Sequence, residues 1–150
     1  MEYTEASIGR IFILRLHQND IIHEAVEKFA KEKQIQSAMC FFLGGAEEGS
    51  KLVVGPKDGK ALPPQIQLTQ LMGVHEGFGV GTLFQNEHGE YKLHMHGSFG
   101  RNDLPANAVT GCVRTGVTVW KIAEVVLFEL KDSSALRKKD AETGFEMLEC

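Results

Sequence analysis

The chain has 150 residues, of which 43% are hydrophobic and 24% are charged. This length is typical of one domain and the composition is that of an ordinary globular protein, so a disordered or low-complexity chain is excluded. Sixteen basic and twenty acidic residues give a formal net charge of −4, which argues against non-specific binding to nucleic acid or to an anionic membrane surface. We therefore expect one domain over residues 1–150.

The N-terminal sequence does not have the pattern of a targeting segment. Residues 1–5 contain no basic side chain. The apolar run of residues 11–16 is interrupted by Arg15 and is too short for a signal peptide or a membrane span. The chain has three cysteines, an odd number, which fits a reducing compartment better than a secreted disulfide framework. These features predict a cytoplasmic protein that does not bind membranes.

The first predicted elements are a strand and a helix. Residues 10–16 carry apolar side chains on both faces, which predicts a strand in the centre of a sheet. From residue 21 to residue 33, apolar side chains recur at three- and four-residue steps, which predicts an amphipathic helix. Asn19-Asp20 precedes this segment and provides side chains suited to the N-cap.

The rest of the chain is predicted to form strands separated by turns. Candidate strands span residues 37–43, 51–54, 66–72, 79–84, 91–99 and 117–130, with a short closing strand at 145–148. Turn signals separate them, including Gly55-Pro56, Pro63-Pro64 and Asn102-Asp103, and residues 137–140 are predicted to be a solvated turn. One early helix followed by strands predicts an α+β fold, with an antiparallel or mixed sheet packed on the helix.

Two histidines on one predicted strand are the most informative feature of the sequence. Side chains alternate along a strand, so His94 and His96 point to the same side. Their Cα atoms are about 6.6 Å apart at the usual strand rise. That separation lets both imidazoles reach one metal ion at about 2.0–2.1 Å. The same pattern is also typical of the polar face of a half-exposed sheet.

Cys112 and His75 are the candidates for a third metal ligand. Cys112 follows in a glycine-rich segment that is predicted to be a turn, and its thiolate would complete a His₂Cys zinc set with one open position. His75 would replace or join Cys112 if its segment folds back onto the histidine strand, and Glu76 would then be a candidate general base. The alternatives are a small residue in a tight turn for Cys112 and a surface loop for His75-Glu76.

Glu124 is a further candidate because a carboxylate inside an apolar strand needs a partner or a role. It would orient a ligating imidazole, pair with Arg101 or Arg114, or contact another subunit. The alternative is an edge strand that exposes it to water. No nucleotide-binding motif accompanies these residues. The glycines of residues 77–81 lead into a strand rather than a helix, and neither a P-loop nor a Gly-x-Ser-x-Gly elbow occurs.

In this order, these segments resemble the PPC family, the "plants and prokaryotes conserved" domain of unknown function. The resemblance covers about residues 9–130 and rests on the segments 42–46, 94–96, 111–112 and 123–126. It implies an α+β domain that assembles as a homotrimer, with a metal site on the His-x-His strand and a third histidine in a Gly-Gly-His turn. Cys112 stands where the family usually has that histidine. The fold is similar to that of acetolactate decarboxylase, whose zinc is held by histidines that include a His-x-His pair.

Three functions are open at this point. The first is a homotrimeric zinc-binding domain, in one version a metal-dependent enzyme acting on a small carbonyl or carboxylate compound. The second is a DNA-binding or nucleic-acid-associated regulator, although the chain lacks the Arg-Gly-Arg-Pro core of an AT-hook and has one basic cluster, residues 137–139. We therefore expect no nucleic-acid binding by the chain on its own. The third is a purely structural oligomerisation module.

Overall fold

The protein is built on an eight-stranded sheet with one helix packed against it. The computed structural model describes residues 1–102 and 107–150. The elements in chain order are β1 (Ser7–His17), α1 (Ile22–Lys33), β2 (Ser37–Ala46), β3 (Lys51–Pro56), β4 (Ile66–Gln70), β5 (His75–Gln85), β6 (Tyr91–Arg101), β7 (Asn107–Cys112), β8 (Val119–Lys131), β9 (Leu136–Lys139) and β10 (Glu146–Glu149). The predicted turn at Asn102-Asp103 falls partly on residues 103–106, outside the described part of the chain.

The strand order of the main sheet is β1-β8-β2-β5-β6-β7-β3-β4, and neighbouring strands run antiparallel. Strands β9 and β10 form a separate antiparallel hairpin at the end of the chain. This mostly antiparallel sheet with one helix agrees with the predicted α+β class. The hairpin includes the predicted closing strand, but it also includes residues 137–139, where the prediction of a solvated turn was wrong.

Helix α1 covers one face of the sheet and forms the core there. Its buried residues Ile22, Val26 and Ala30 belong to one apolar cluster with Met95 and Phe99 of strand β6. This helix has 12 residues, and within residues 1–102 and 107–150 no helix is both long and apolar enough to cross a membrane. We call this side of the sheet the covered face.

The opposite side of the sheet, which we call the open face, is rich in exposed apolar side chains. One row across it follows from the strand register, because directly opposite residues share a face: Ile13, Val126, Phe41, Val80, His96 and Cys112. Large side chains on β1, β2, β5 and β8 are solvent-exposed there, namely Ile11, Ile13, Met39, Phe41, Leu43, Phe78, Val80 and Ile122. The two candidate histidines therefore lie at one side of an apolar surface.

Two predictions about the first elements were wrong. Strand β1 was expected in the centre of the sheet, but it is an edge strand that pairs with β8 alone. Its second apolar side belongs to the open face. The predicted N-cap Asp20 instead accepts a hydrogen bond from the backbone N–H of His17 at 2.8 Å, which stabilises the turn before the helix. The N-cap residue is Ile21, which makes no side-chain capping bond.

The segment around Cys112 was predicted to be a turn, but it is a strand. Residues 107–112 form β7, which pairs with β6 along its length, and a 3₁₀ turn follows at Val113–Thr115. Gly111, which suggested a turn, is instead required by the packing of two strands. A Cβ atom on Gly111 would lie 2.5 Å from the backbone oxygen of Val53. Glycine is therefore needed for the close approach of β3 to β7.

Candidate metal centre

Strands β6 and β7 bring three potential metal ligands together. His94 and His96 are two residues apart on β6, and Cys112 at the end of β7 is directly opposite His96 in the register. One ligand atom from each of the three residues lies within 4.8 Å of the others. The sequence predicted the shared side of the histidines, and the structure adds the pairing of β6 with β7 that brings the sulfur to them.

The separation of the two imidazoles suits a common metal ion. Nε2 of His94 lies 3.2 Å from Nε2 of His96, and the rings are inclined by 77° with centroids 5.0 Å apart. Two nitrogens bound to tetrahedral zinc at about 2.0–2.1 Å are about 3.3 Å apart. Two imidazole nitrogens and a thiolate are also ligand types that zinc prefers, and they leave a fourth position open. The residues present therefore fit a zinc ion.

The surroundings keep both imidazoles neutral. Burial lowers the pKa of His94, and the nearby charges of Arg137 and Arg114 lower it further. Burial is also the main cause that lowers the pKa of His96, followed by His94 and Arg114. A neutral ring presents a lone pair for metal binding, whereas a protonated ring does not. At neutral pH both histidines are therefore in the form that binds a metal.

Arg114 contacts Cys112, the third candidate ligand, directly. Its Nε–H donates a hydrogen bond to Sγ of Cys112 at 3.3 Å. Its guanidinium also lies over the ring of Phe145, 5.6 Å from the ring centroid. Hydrogen bonds to a ligand atom fix that ligand's orientation. Arg114 thus connects the candidate ligand Cys112 to the C-terminal hairpin.

The structure does not bring His75 and Glu76 to this cluster. His75 begins β5 and is buried, with Nδ1 at 2.9 Å from the backbone oxygen of Gly73. The β5 residue opposite His96 is Val80, five positions along the strand, which corresponds to about 16 Å. The segment does pair with the histidine strand, because β5 runs antiparallel to β6. The register, however, places Glu76 opposite Gly100, so His75 and Glu76 lie at the far end of β6 from His94 and His96.

Glu124 also lies away from the cluster. It is on β8, opposite Arg15 of β1 and Leu43 of β2. Strands β2 and β5 separate β8 from the histidine strand β6, so its carboxylate does not orient His94 or His96 of the same chain. Strand β8 is not an edge strand either. Glu124 is exposed because it belongs to the open face.

Sequence reasoning missed a cleft beside the three ligands. The cleft has a volume of about 680 Å³ and lies between α1, β6 and the C-terminal hairpin, with His94, Arg114, Arg137 and Phe145 in its wall. Arg137 was predicted to lie in a solvated turn, but it is only 4% exposed. The sequence of residues 136–139, one leucine followed by three basic residues, carries no alternation that would predict a strand with a buried arginine.

The chain matches one known protein family over most of its length. The family model of the Plants and Prokaryotes Conserved (PCC) domain matches residues 3–131. No curated protein matches the chain. The family match spans all three cluster residues and ends before the C-terminal hairpin begins.

Solved structures with the same fold cover nearly the whole chain. A PPC protein of Pyrococcus horikoshii is 23% identical, with a TM-score of 0.83 over 99% of this chain and 97% of that one. A metal-containing protein of Archaeoglobus fulgidus is 21% identical, with a TM-score of 0.82 over 98% of each chain. A candidate DNA-binding protein of Bacteroides thetaiotaomicron is 18% identical, with a TM-score of 0.76 over 96% of each chain. At these identities the likeness shows a shared fold.

Proposed function

The chain belongs to the Plants and Prokaryotes Conserved (PCC) domain family, and from this premise we propose that it is a homotrimeric, zinc-binding domain. The observation that carries the proposal is the cluster of His94, His96 and Cys112, whose ligand atoms lie within 4.8 Å of one another. A protein of the same fold from Archaeoglobus fulgidus is metal-containing, which agrees with this assignment. Within the described residues, these are the groups that would hold the ion.

We extend the proposal to a metal-dependent enzyme that acts on a small carbonyl or carboxylate compound. Three protein ligands leave one position for water or a substrate oxygen, and zinc there supplies a Lewis acid. The chain's own residues supply neutral imidazoles, a hydrogen bond from Arg114 to the sulfur, and a cleft that receives the substrate. All three cysteines are free, which supports a place in the reducing cytoplasm.

Metal analysis of protein purified without a histidine tag tests the metal proposal. We expect about one zinc per chain in the wild type. The double variant His94→Ala/His96→Ala should contain less than about 0.1 equivalent, because Cys112 alone cannot retain the ion. Inductively coupled plasma mass spectrometry after dialysis gives both values.

The matched control removes two other histidines. His17→Ala/His88→Ala takes the same number of imidazoles from exposed positions outside the cluster and should keep the wild-type zinc content. A wild type with less than about 0.1 equivalent of any transition metal, even after incubation with zinc, would remove the proposal. An equal loss of zinc in both double variants would show that the ions bind to histidines without regard to position.

The open face supports the homotrimer. Ile13 is 82% exposed, Phe78 is 65% exposed and Leu43 is 60% exposed, and all three lie on the same side of the sheet. Monomeric proteins rarely expose contiguous apolar patches of such extent, whereas subunit interfaces bury them. A second and third copy of this chain would cover this surface and remove it from water.

Size-exclusion chromatography with light scattering tests the assembly. A trimer has a mass of about 50 kDa, three times the 16.6 kDa of the chain. Phe41→Asp puts a charge in the middle of the apolar row and should shift the mass towards one chain. Lys60→Asp, in the exposed connection between β3 and β4, is the control and should remain trimeric. A wild type of one-chain mass at micromolar concentration would contradict the proposal.

DNA binding has less support from the described residues. The basic cluster of residues 137–139 does not form a free cationic surface, since Arg137 is buried and Lys138 forms an ion pair with Glu149. The chain also carries a formal charge of −4, which disfavours contact with phosphates. We expect no gel shift of an AT-rich duplex at micromolar protein and physiological salt. A salt-dependent shift would favour the regulatory function instead.

A further inference from the structure

Arg137 is a buried cation whose side-chain hydrogen bonds go to neutral oxygens. It is 4% exposed, and its guanidinium donates to the backbone oxygen and the hydroxyl of Thr82 at 3.2 and 3.1 Å and to the backbone oxygen of Lys92 at 3.4 Å. Throughout residues 1–102 and 107–150, neither Arg137 nor Arg114 has a carboxylate oxygen within ion-pair distance. A buried charge is costly unless an opposite charge accompanies it.

The other charged groups of the cleft are already engaged. Lys92 forms an ion pair with Glu90 at 3.0 Å. Glu27 accepts a hydrogen bond from the backbone N–H of Leu93 at 2.8 Å, and Glu146 accepts one from the side chain of Asn86 at 2.8 Å. Burial lowers the pKa of Arg137 and the negative charge of Glu146 partly offsets this, but within the described residues no carboxylate oxygen lies at ion-pair distance from Arg114 or Arg137. The positive charge of Arg114 and Arg137 beside His94 thus remains available to a ligand.

From this arrangement we propose that the cleft binds a small monocarboxylate, with Arg114 and Arg137 as the residues that bind its carboxylate group. A planar guanidinium offers paired N–H donors that match the two oxygens of a carboxylate. Arg114 also donates to the candidate metal ligand Cys112, so a carboxylate bound to Arg114 lies next to the metal centre. This proposal rests on the proposed zinc site at His94, His96 and Cys112, and it names the class of substrate that would bind beside that site.

The rest of the wall favours one negative charge and a short carbon skeleton. Leu93, Phe145, Met147 and Leu148 contribute apolar surface to the cleft, which suits the carbon atoms of an organic acid. The carboxylates of Glu27 and Glu146 lie in the same wall and would repel a doubly charged phosphate more than a singly charged acid. Arg137 and Phe145 come from residues after 131, where the family match ends. The C-terminal hairpin therefore contributes to the wall of this cleft.

Isothermal titration calorimetry with acetate, pyruvate, lactate, hexanoate and inorganic phosphate tests the proposal on the zinc-loaded, full-length protein. We expect at least one monocarboxylate to bind more tightly than phosphate. In Arg114→Gln the Kd of that acid should rise by about 10-fold or more, because a charge-assisted hydrogen bond is lost. Arg137→Lys keeps the buried charge but removes the planar fork, so its Kd should also rise.

The control variant and the metal content separate this proposal from the one above. Lys57→Gln removes one positive charge from an exposed position and should change the Kd by less than about twofold. If the zinc content is normal but Arg114→Gln binds the acids within twofold of the wild type, the carboxylate proposal is overturned and the metal proposal stands. If no metal binds but Arg114→Gln weakens the binding of the acids, the metal proposal is overturned and the carboxylate proposal stands. The carboxylate proposal is also overturned if phosphate binds more tightly than every monocarboxylate, or if none of the monocarboxylates binds.

Discussion

The two faces of the sheet use the same residue type for different purposes. Cys40 lies on the covered face, where burial raises the pKa of its thiol to about 12. Cys112 is also buried, but it lies across from His96 and accepts a hydrogen bond from Arg114. Both cysteines are buried, so burial alone does not distinguish the candidate metal ligand Cys112 from Cys40. The neighbouring His96 and Arg114 distinguish Cys112, the candidate ligand, from Cys40.

The largest expected effect is the loss of a core aromatic on the covered face. Phe99 is fully buried and stacks on Phe42, with ring centroids 5.7 Å apart. Phe99→Ala should reduce the free energy of unfolding by about 3–5 kcal/mol, since both apolar contact and cavity terms are involved. Urea denaturation followed by circular dichroism measures this change.

The matched control for Phe99→Ala is the same substitution on the open face. Phe78 lies on the neighbouring strand β5 and is 65% exposed, so Phe78→Ala should cost less than about 1 kcal/mol in the isolated chain. In the assembled protein it should instead weaken the association between subunits. An equal loss of stability from both substitutions in the monomer would remove the distinction between a core face and an interface.

The second prediction compares the two cysteines. Cys112→Ser replaces a thiolate with a poor zinc ligand and should weaken zinc affinity by about 100-fold or more. Cys40→Ser should leave the zinc affinity unchanged while lowering the free energy of unfolding, because it places a hydroxyl in an apolar core. Competition with a chromophoric chelator measures the affinities. Unchanged zinc affinity in Cys112→Ser would exclude its sulfur from the site.

The parts of the site that the sequence predicted are those that depend on local geometry. The shared side of His94 and His96 follows from the alternation of one strand, and no other element has to be known. The association of Cys112 with them was an open alternative in the sequence, because it depends on the pairing of β6 with β7. Strand β7 itself was not predicted, because its Gly111, which permits the close approach of β3, was interpreted as a turn signal.

Two further candidates do not join the cluster because their positions depend on the order and register of strands in the sheet. Glu124 was a candidate because it is a carboxylate in an apolar run, and Glu76 because it follows His75. The sequence does not say that β8 pairs between β1 and β2 or that Glu76 pairs with Gly100. Arg137 was missed for a related reason. Its environment comes from β5 and β6, which are more than 35 residues earlier in the chain. Non-local contacts of this kind leave no local pattern.

The third prediction concerns the pH dependence of the histidine pair. The pKa values of His94 and His96 are both lowered, mainly by burial. A lowered pKa means that the rings remain neutral, and able to bind metal, below the usual histidine value of about 6.5. Zinc should therefore be released only at a pH below the usual histidine value. NMR titration of the metal-free protein should give midpoints below 6.5 for both rings, and midpoints above 6.5 would contradict the lowered pKa values.

The smallest effect is expected from an arginine on the covered face that forms an ion pair with a carboxylate. Glu129 accepts two hydrogen bonds from Arg10, one from the side-chain Nε at 2.7 Å and one from the backbone N–H at 2.9 Å. The hydrogen bond from the side chain is the main cause that lowers the pKa of Glu129 to about 2. Because the folded-state pKa lies below the unfolded value of about 4.3, the pair stabilises the fold above that pH and loses its effect as the pH falls towards 2. Glu129→Gln should lower the melting temperature by a few degrees at pH 7, less than Phe99→Ala does, and the difference from the wild type should vanish near pH 2. A difference that does not change with pH would mean that the shape of Glu129, rather than its charge, stabilises this end of the sheet.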